Sequence, residues 1–455
     1  MTSTVVGPEQ EQSAPQRARW RVPTALAAVA GLLAVLGWAI AVGSGSTTSA
    51  AVELREAGLL VEWGGPVVTL AARIAAVGTV GTLLYAAVLL PGGVGHLAPQ
   101  LRRAVASAAA WALAWALATS LGGLLTVSRL VGVAPTALDG FSVRVFLLDT
   151  GAGRAVLLVT AITAGLAVAA RTGTGRGGAR LLLAGALAAL VVPVVLSGHS
   201  SAAEDHLVAV TTLAVHVVAA SLWVGGLGAL LRYGRATPAA AGRYSTVALW
   251  CFAATAVSGV LAAGVVLGGA GAVVAALGTG YGVLLLGKTL GLTVVGLLGW
   301  HHRRRTLPQL RAGQPGAFRR LAVVEMAVLL ATVALAVALA ASPPPVAAGV
   351  GSATAAPAAP TAAADPMAGH DHGELSVGVL VDEDRFHVAG PVTAGSRVTV
   401  HNASGVSATI TADDGSFDVD VPPGTLLTFP APDQPGRYAF SSRHSATYTD
   451  VLVVE

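Results

Sequence analysis

Charge is scarce in this 455-residue chain, at 11% Asp, Glu, Lys and Arg, against roughly 25% in an ordinary soluble domain. A chain this long with so few charges cannot cover a large globule with solvated surface. A soluble enzyme is therefore excluded, and disordered, collagenous and disulfide-scaffold classes fall with it. The single cysteine, Cys251, permits no intrachain disulfide, so any exported domain must fold by packing alone. Three methionines, one of them the initiator, exclude a Met-rich metal-binding surface. Catalytic signatures are missing as well: there is no nucleophile elbow, phosphate loop, HExxH or CxxC, and the chain reads as a non-enzyme.

What fills the chain is apolar residue, 54% of it. Runs of the length that crosses a bilayer, about 20 residues, recur at Val22–Val42, Pro66–Leu90, Ala104–Val127, Gly151–Ala170, Leu181–Leu196, Leu207–Leu231, Ser245–Leu267, Gly280–Trp300 and Leu321–Ala341. The fifth run is short, and Pro193 is expected to bend it. Gly and Ala crowd these runs, which suits close helix packing in lipid.

The arginines between the runs alternate. Seventeen stand in one set of connecting segments, among them Arg17, Arg102, Arg171, Arg243 and Arg303, against three in the other set, Arg55, Arg129 and Arg144. By the positive-inside rule this predicts a plasma-membrane protein with a cytoplasmic N-terminus and everything after Ala341 outside. The basic pI of about 9.6 thus reflects topology, and no nucleic-acid partner is expected. The first run reads as an anchor in preference to a cleaved signal sequence, because its apolar core is longer than a usual signal core.

After Ala341 the composition shifts. Ser342 to Pro366 is a semi-rigid Pro/Ala/Gly stretch. Beyond it come short alternating runs at Leu375–Val381, Arg397–His401, Ala408–Thr411, Leu426–Phe429, Arg437–Phe440 and Asp450–Val454, with turn signals such as Asp413-Asp414-Gly415 between them. These read as a β-sandwich. The predicted organisation is a cytoplasmic tail (1–21), an all-α transmembrane bundle of about nine helices (22–341), a Pro/Ala-rich linker carrying an HxH motif (342–373) and an all-β extracytoplasmic sandwich (374–455).

Chemistry is expected at histidines and at ionisable groups inside the runs. His199, Glu204, Asp205 and His206 occupy the outer loop between the fifth and sixth runs, and His216 lies inside the sixth. Imidazole nitrogen is largely deprotonated at neutral pH and suits copper or zinc. The alternative is that the loop histidines are solvated and His216 bonds a neighbouring carbonyl. An imidazole within a lipid-buried segment favours function, since intramembrane ionisable groups are rare and expensive. Arg73 and Lys288 are intramembrane cations on the outer side, which an ion pair or snorkelling would explain. Fixed positive charges there also fit an anionic ligand. Glu325, near the inner end of the ninth run, is expected to snorkel or to meet Arg319 or Arg320. His301 and His302, which open the most basic inner loop, are expected to contact headgroups, with exit-side metal handling as the alternative. In the tail, His370 and His372 form the HxH, while His387, His401 and His444 fall in the sandwich.

Between Gly65 and Pro345 the chain resembles the copper resistance protein D (CopD) family. The matching pieces are Gly65-Pro66 with Arg73, Thr150-Gly151-Ala152-Gly153-Arg154, Ser197-Gly198-His199, and His216 with Ala220-Ser221-Leu222-Trp223-Val224-Gly225-Gly226. Tyr281-Gly282 with Lys288, and Glu325 followed by Ser342-Pro343-Pro344, complete the pattern. The resemblance implies copper as the bound or transported ion, and copper homeostasis or resistance as the role. The tail looks like a cupredoxin around Ala408–Asp418 and Pro435–His444. A blue-copper centre needs two His, a Cys thiolate and usually an axial Met. Ala408 and Ser441 stand where the first His and the Cys would fall, so no type 1 centre is expected and only His444 matches.

The leading expectation is copper transport, with the ion collected by His370, His372 or the sandwich and passed through His199, Glu204, Asp205 and His206 to His216. Partners would be the bilayer and an extracytoplasmic copper chaperone or cupro-enzyme. Two alternatives stand beside it: a non-transporting factor for cupro-enzyme (terminal oxidase) assembly or copper sensing, and handling of haem or another anionic ligand.

Overall fold

The computed structural model describes residues 21–43, 58–91, 98–172, 175–196, 203–233, 238–267, 273–274, 276–342 and 378–455, apart from 383–384, 403, 405 and 424. The N-terminal tail, most of the linker, His199, His370 and His372 lie outside the described residues.

The helices are α1 (Arg21–Gly43), α2 (Leu59–Leu84), α3 (Ala98–Val131), α4 (Gly140–Asp149), α5 (Gly151–Ala169), α6 (Arg176–Leu196), α7 (Ala203–Tyr233), α8 (Pro238–Leu267), α9 (Gly280–His301), α10 (Leu307–Arg311) and α11 (Pro315–Ala340). A π-helical turn, Tyr85–Leu89, continues α2, and a second, His302–Thr306, joins α9 to α10. Nine helices among the described residues are long and apolar enough to cross a membrane, namely all but α4 and α10. The chain is a multi-pass membrane protein.

Each of the nine expected runs coincides with a helix, but several of the helices start earlier: at Leu59 for Pro66, Ala98 for Ala104, Arg176 for Leu181, Pro238 for Ser245 and Pro315 for Leu321. Hydropathy marks only the stretch that suits lipid, whereas backbone hydrogen bonding carries a helix on into its polar flanks. The fifth span is accordingly not short: α6 begins at Arg176 and runs 21 residues with Pro193 inside it. Likewise α7 begins at Ala203, so Glu204, Asp205 and His206 stand in its first turn and not in a loop.

The main core is formed by α2, α3, α5, α6, α7 and α8 around residues such as Leu83, Tyr85, Val105, Trp223 and Leu227. A second cluster joins α1 (Leu36, Ala39) to α9 (Leu284) and α11 (Ala334, Ala338). Where α2 crosses α7, Gly81 meets Gly225 so closely that a Cβ on Gly81 would stand 2.0 Å from the Gly225 carbonyl oxygen. Only paired glycines permit that approach, the close packing that small residues give in membranes.

Arginines bind one end of the bundle together. Arg176 donates to the carbonyls of Leu90 (2.8 Å) and Pro91 (3.0 Å). Arg243 donates to Val88 (3.2 Å) and Leu90 (3.0 Å). Arg303 donates to the hydroxyl (2.9 Å) and carbonyl (2.6 Å) of Ser245. Arg176 and Arg243 thereby satisfy terminal carbonyls that the end of α2 leaves open.

The C-terminal domain holds strands β1 (Val379–Val381), β2 (Phe386–Val388), β3 (Arg397–Asn402), β4 (Ala408–Ala412), β5 (Asp418–Val421), β6 (Leu426–Pro430), β7 (Gly436–Ser442) and β8 (Ser445–Val454). They form two four-stranded sheets, β2-β1-β3-β6 and β5-β4-β7-β8, with β1 and β3 parallel and the other strand pairs antiparallel. Val381, Phe386, Val400, Ile410, Phe440 and Leu452 fill the space between.

The sandwich rests on the bundle. Register puts His387, Leu380, His401 and Leu426 in one row across the first sheet, on the face turned away from its core. Leu426 is fully buried in a cluster with Val127, Val131, Phe146 and Ala152 of the bundle, and Arg397 pairs with Asp149 of α4 at 3.3 Å. Spans four to nine separate α4 from the sandwich. That even number of crossings returns the chain to one side of the bilayer, as the contact requires.

Candidate functional site

His216 stands on α7 facing α8. Its Nδ1 lies 3.0 Å from the Ser258 hydroxyl, and the ring passes over Gly259, whose Cβ position is 3.5 Å from the imidazole Cε1. The Ser258 hydroxyl donates to the Ala254 carbonyl at 2.6 Å, which commits its one proton. The imidazole also makes a backbone hydrogen bond at Thr255, the neighbouring-carbonyl contact that the sequence left as the alternative to metal binding. The serine also satisfies the ring within the bundle, so the imidazole is accommodated without a metal.

Lys288 of α9 is half-buried and lies within electrostatic reach of His216. Three helices thus bring an imidazole, a hydroxyl and an ammonium to one locus. Arg73 is exposed on α2. Among the described residues no carboxylate pairs with Arg73 or Lys288. Asp149, at the end of α4, is engaged by Arg397.

A second polar locus lies between the π turn and α11. His302 Nε2 is 3.2 Å from Glu325 Oε2, and its Nδ1 is 2.6 Å from the Thr306 hydroxyl. The Phe318 ring lies 5.0 Å from the imidazole. Glu325 is 3% exposed, so it neither snorkels nor meets Arg319 or Arg320, and His302 is not a headgroup contact. The reason is geometric: the wide π turn aims the imidazole at α11, and π turns are frequent at functional positions. The His302–Glu325 contact lacks hydrogen-bond alignment and is an ion-pair approach. Tyr244 lies within electrostatic reach of Glu325 and donates its hydroxyl to the Trp223 carbonyl at 3.0 Å. Sequence reasoning missed the pair because its members lie on different elements.

Among the described residues the remaining candidates do not converge. Only the backbone of Glu204, Asp205 and His206 is described. His444 is exposed in the turn between β7 and β8, while buried His387 lies 3.6 Å from Asp382. Among the described residues no three of His, Cys, Asp and Glu form a metal-sized group. Several resemblance residues have structural work to do. The Thr150 hydroxyl caps α5 by accepting from the Gly153 amide at 2.9 Å, and Gly225 makes the α2–α7 crossing.

The fold defines a membrane bundle of many apolar helices with an appended β-sandwich. Residues 238–339, from α8 through α11, match the family model of Copper resistance protein D (CopD). No curated protein and no solved structure matches the chain. The matched segment is narrower than the Gly65–Pro345 resemblance. It contains Ser258, Lys288, His302, Thr306 and Glu325, but not His216.

Proposed function

We propose that the protein is a non-enzymatic plasma-membrane copper transporter serving copper homeostasis and resistance. The arginine-rich end faces the cytoplasm and the sandwich faces outward, as the positive-inside rule directs. Copper enters beside the first turn of α7, the turn of Glu204, Asp205 and His206, and meets His216 about 15 Å further along the helix at 1.5 Å per residue; His199 precedes that turn in the sequence. The observation that carries this reading is the CopD match over 238–339, because two helices of that segment supply the groups around His216. The sandwich, cupredoxin-shaped but without a type 1 centre, and the His370/His372 motif gather copper outside.

The test is cellular copper by mass spectrometry in a deletion strain complemented with wild type, His216→Ala or His199→Ala. The expected result is a several-fold change in copper content on complementation that both variants abolish. Wild-type behaviour of both variants overturns the route.

A second reading is favoured by Lys288, an ammonium beside His216 with no carboxylate partner among the described residues. A fixed cation repels copper ions and attracts an anionic ligand such as haem. A Soret band in the purified protein without bound copper would select this reading. Copper-independent loss of terminal oxidase activity in the deletion strain would select an assembly factor.

A further inference from the structure

Beside the polar loci, the membrane face of α3 carries a groove of about 610 Å³ that none of the functional readings uses. Arg102, Ala106, Ala110, Leu113 and Leu117 line it along one stripe of α3, and Arg171, just past the end of α5, closes the same end as Arg102. Their spacing of three and four residues keeps them on one helix face. From Arg102 to Leu117 the stripe runs about 22 Å at 1.5 Å per residue, roughly the length of an extended acyl chain. Alanine side chains leave the slot deep, and the arginines give it one charged end.

Those two arginines differ from the three that tie helices together at the same end of the bundle. Arg176, Arg243 and Arg303 spend their donors on backbone carbonyls and a serine. Arg102 and Arg171 are exposed, and among the described residues neither has a hydrogen-bond or carboxylate partner. A guanidinium presents a planar fork of donors that matches a phosphate geometrically. Two of them at the mouth of an apolar slot fit a ligand with an anionic head and a long apolar tail. Basic pockets between membrane helices are where anionic headgroups bind.

We propose that this groove is a binding site for an anionic glycerophospholipid. Arg102 and Arg171 hold the phosphodiester, and one acyl chain lies along Ala106, Ala110, Leu113 and Leu117. The site is independent of copper.

The test is native mass spectrometry of the delipidated full chain titrated with phosphatidylglycerol, phosphatidylcholine or inorganic phosphate. Wild type is expected to retain phosphatidylglycerol at least tenfold better than phosphatidylcholine, and millimolar phosphate is expected not to displace it. The double variant Arg102→Gln/Arg171→Gln loses that preference. Ala110→Trp, which fills the slot and keeps both arginines, weakens retention, while Arg103→Gln, outside the groove, leaves it unchanged. Equal retention by wild type and the double variant overturns the proposal. So does displacement by phosphate, which would mean a simple anion site, or unaltered binding in Ala110→Trp.

Discussion

Nε2 of His302 stands 3.2 Å from Oε2 of Glu325, and that glutamate is the one buried carboxylate among the described residues. An ionised carboxylate away from water is expensive unless a partner neutralises it. The imidazole is the polar partner that the structure sets against it.

This predicts asymmetric mutants. Removing one partner of a buried pair costs about 3–5 kcal/mol, while replacing both with apolar residues is often neutral. His302→Ala should therefore lower thermal stability in detergent strongly, Glu325→Gln should be milder, and His302→Leu/Glu325→Leu should recover most of the loss. A double variant as unstable as His302→Ala would contradict the pairing.

The crossing of α2 and α7 makes a second prediction. Alanine at Gly225 or Gly81 drives a methyl into the facing backbone, whereas alanine at Gly37 meets nothing within 4 Å. Gly225→Ala and Gly81→Ala should lower the yield of monodisperse protein on size exclusion, and Gly37→Ala should not.

Asp139 caps α4, accepting from the Ser142 amide at 2.8 Å. That backbone hydrogen bond, aided by the Ser142 hydroxyl, holds its pKa below the ordinary 3.8. The folded pKa is depressed, so the contribution is fully present above pH 3.8 and is lost as pH falls through the folded value. Asp139→Asn, which keeps the cap, should remove this acid sensitivity with little change at pH 7. Asp139→Ala should loosen α4 by about 1 kcal/mol, read as faster amide exchange over residues 140–149.

Contact between the sandwich and the bundle should rest on Leu426 far more than on Arg397. Leu426 is fully buried, and truncating a buried leucine to alanine costs about 2–5 kcal/mol. The Arg397–Asp149 pair is largely exposed on the arginine side, and such pairs contribute about 1 kcal/mol or less. Spin-label distances between the sandwich and α4 should broaden in Leu426→Ala and stay narrow in Arg397→Ala.

The spans were legible because each combines apolar length with arginine-marked ends, and the six strands expected in the tail all formed. Two further strands escaped notice. β5 reads Asp418-Val419-Asp420-Val421, an edge strand whose carboxylates face outward to Arg443, at 2.6 Å from Asp418 and 3.4 Å from Asp420. β2 has only three residues. At the site, His216 stood out as an imidazole in an apolar run. Ser258 did not, since a serine in a membrane helix is unremarkable until a partner 42 residues away meets it. Glu325 was visible as a charge, but a π turn cannot be read from hydropathy, and its partner stayed hidden.

The carbonyl of Leu90 accepts from both Arg176 and Arg243, so a single oxygen ties α6 and α8 to the tail of α2. Any rocking of the helices must swing about that fixed point, because sliding there would tear three helices apart at once. Its amplitude therefore grows toward the far end of the bundle, where the β-domain rests.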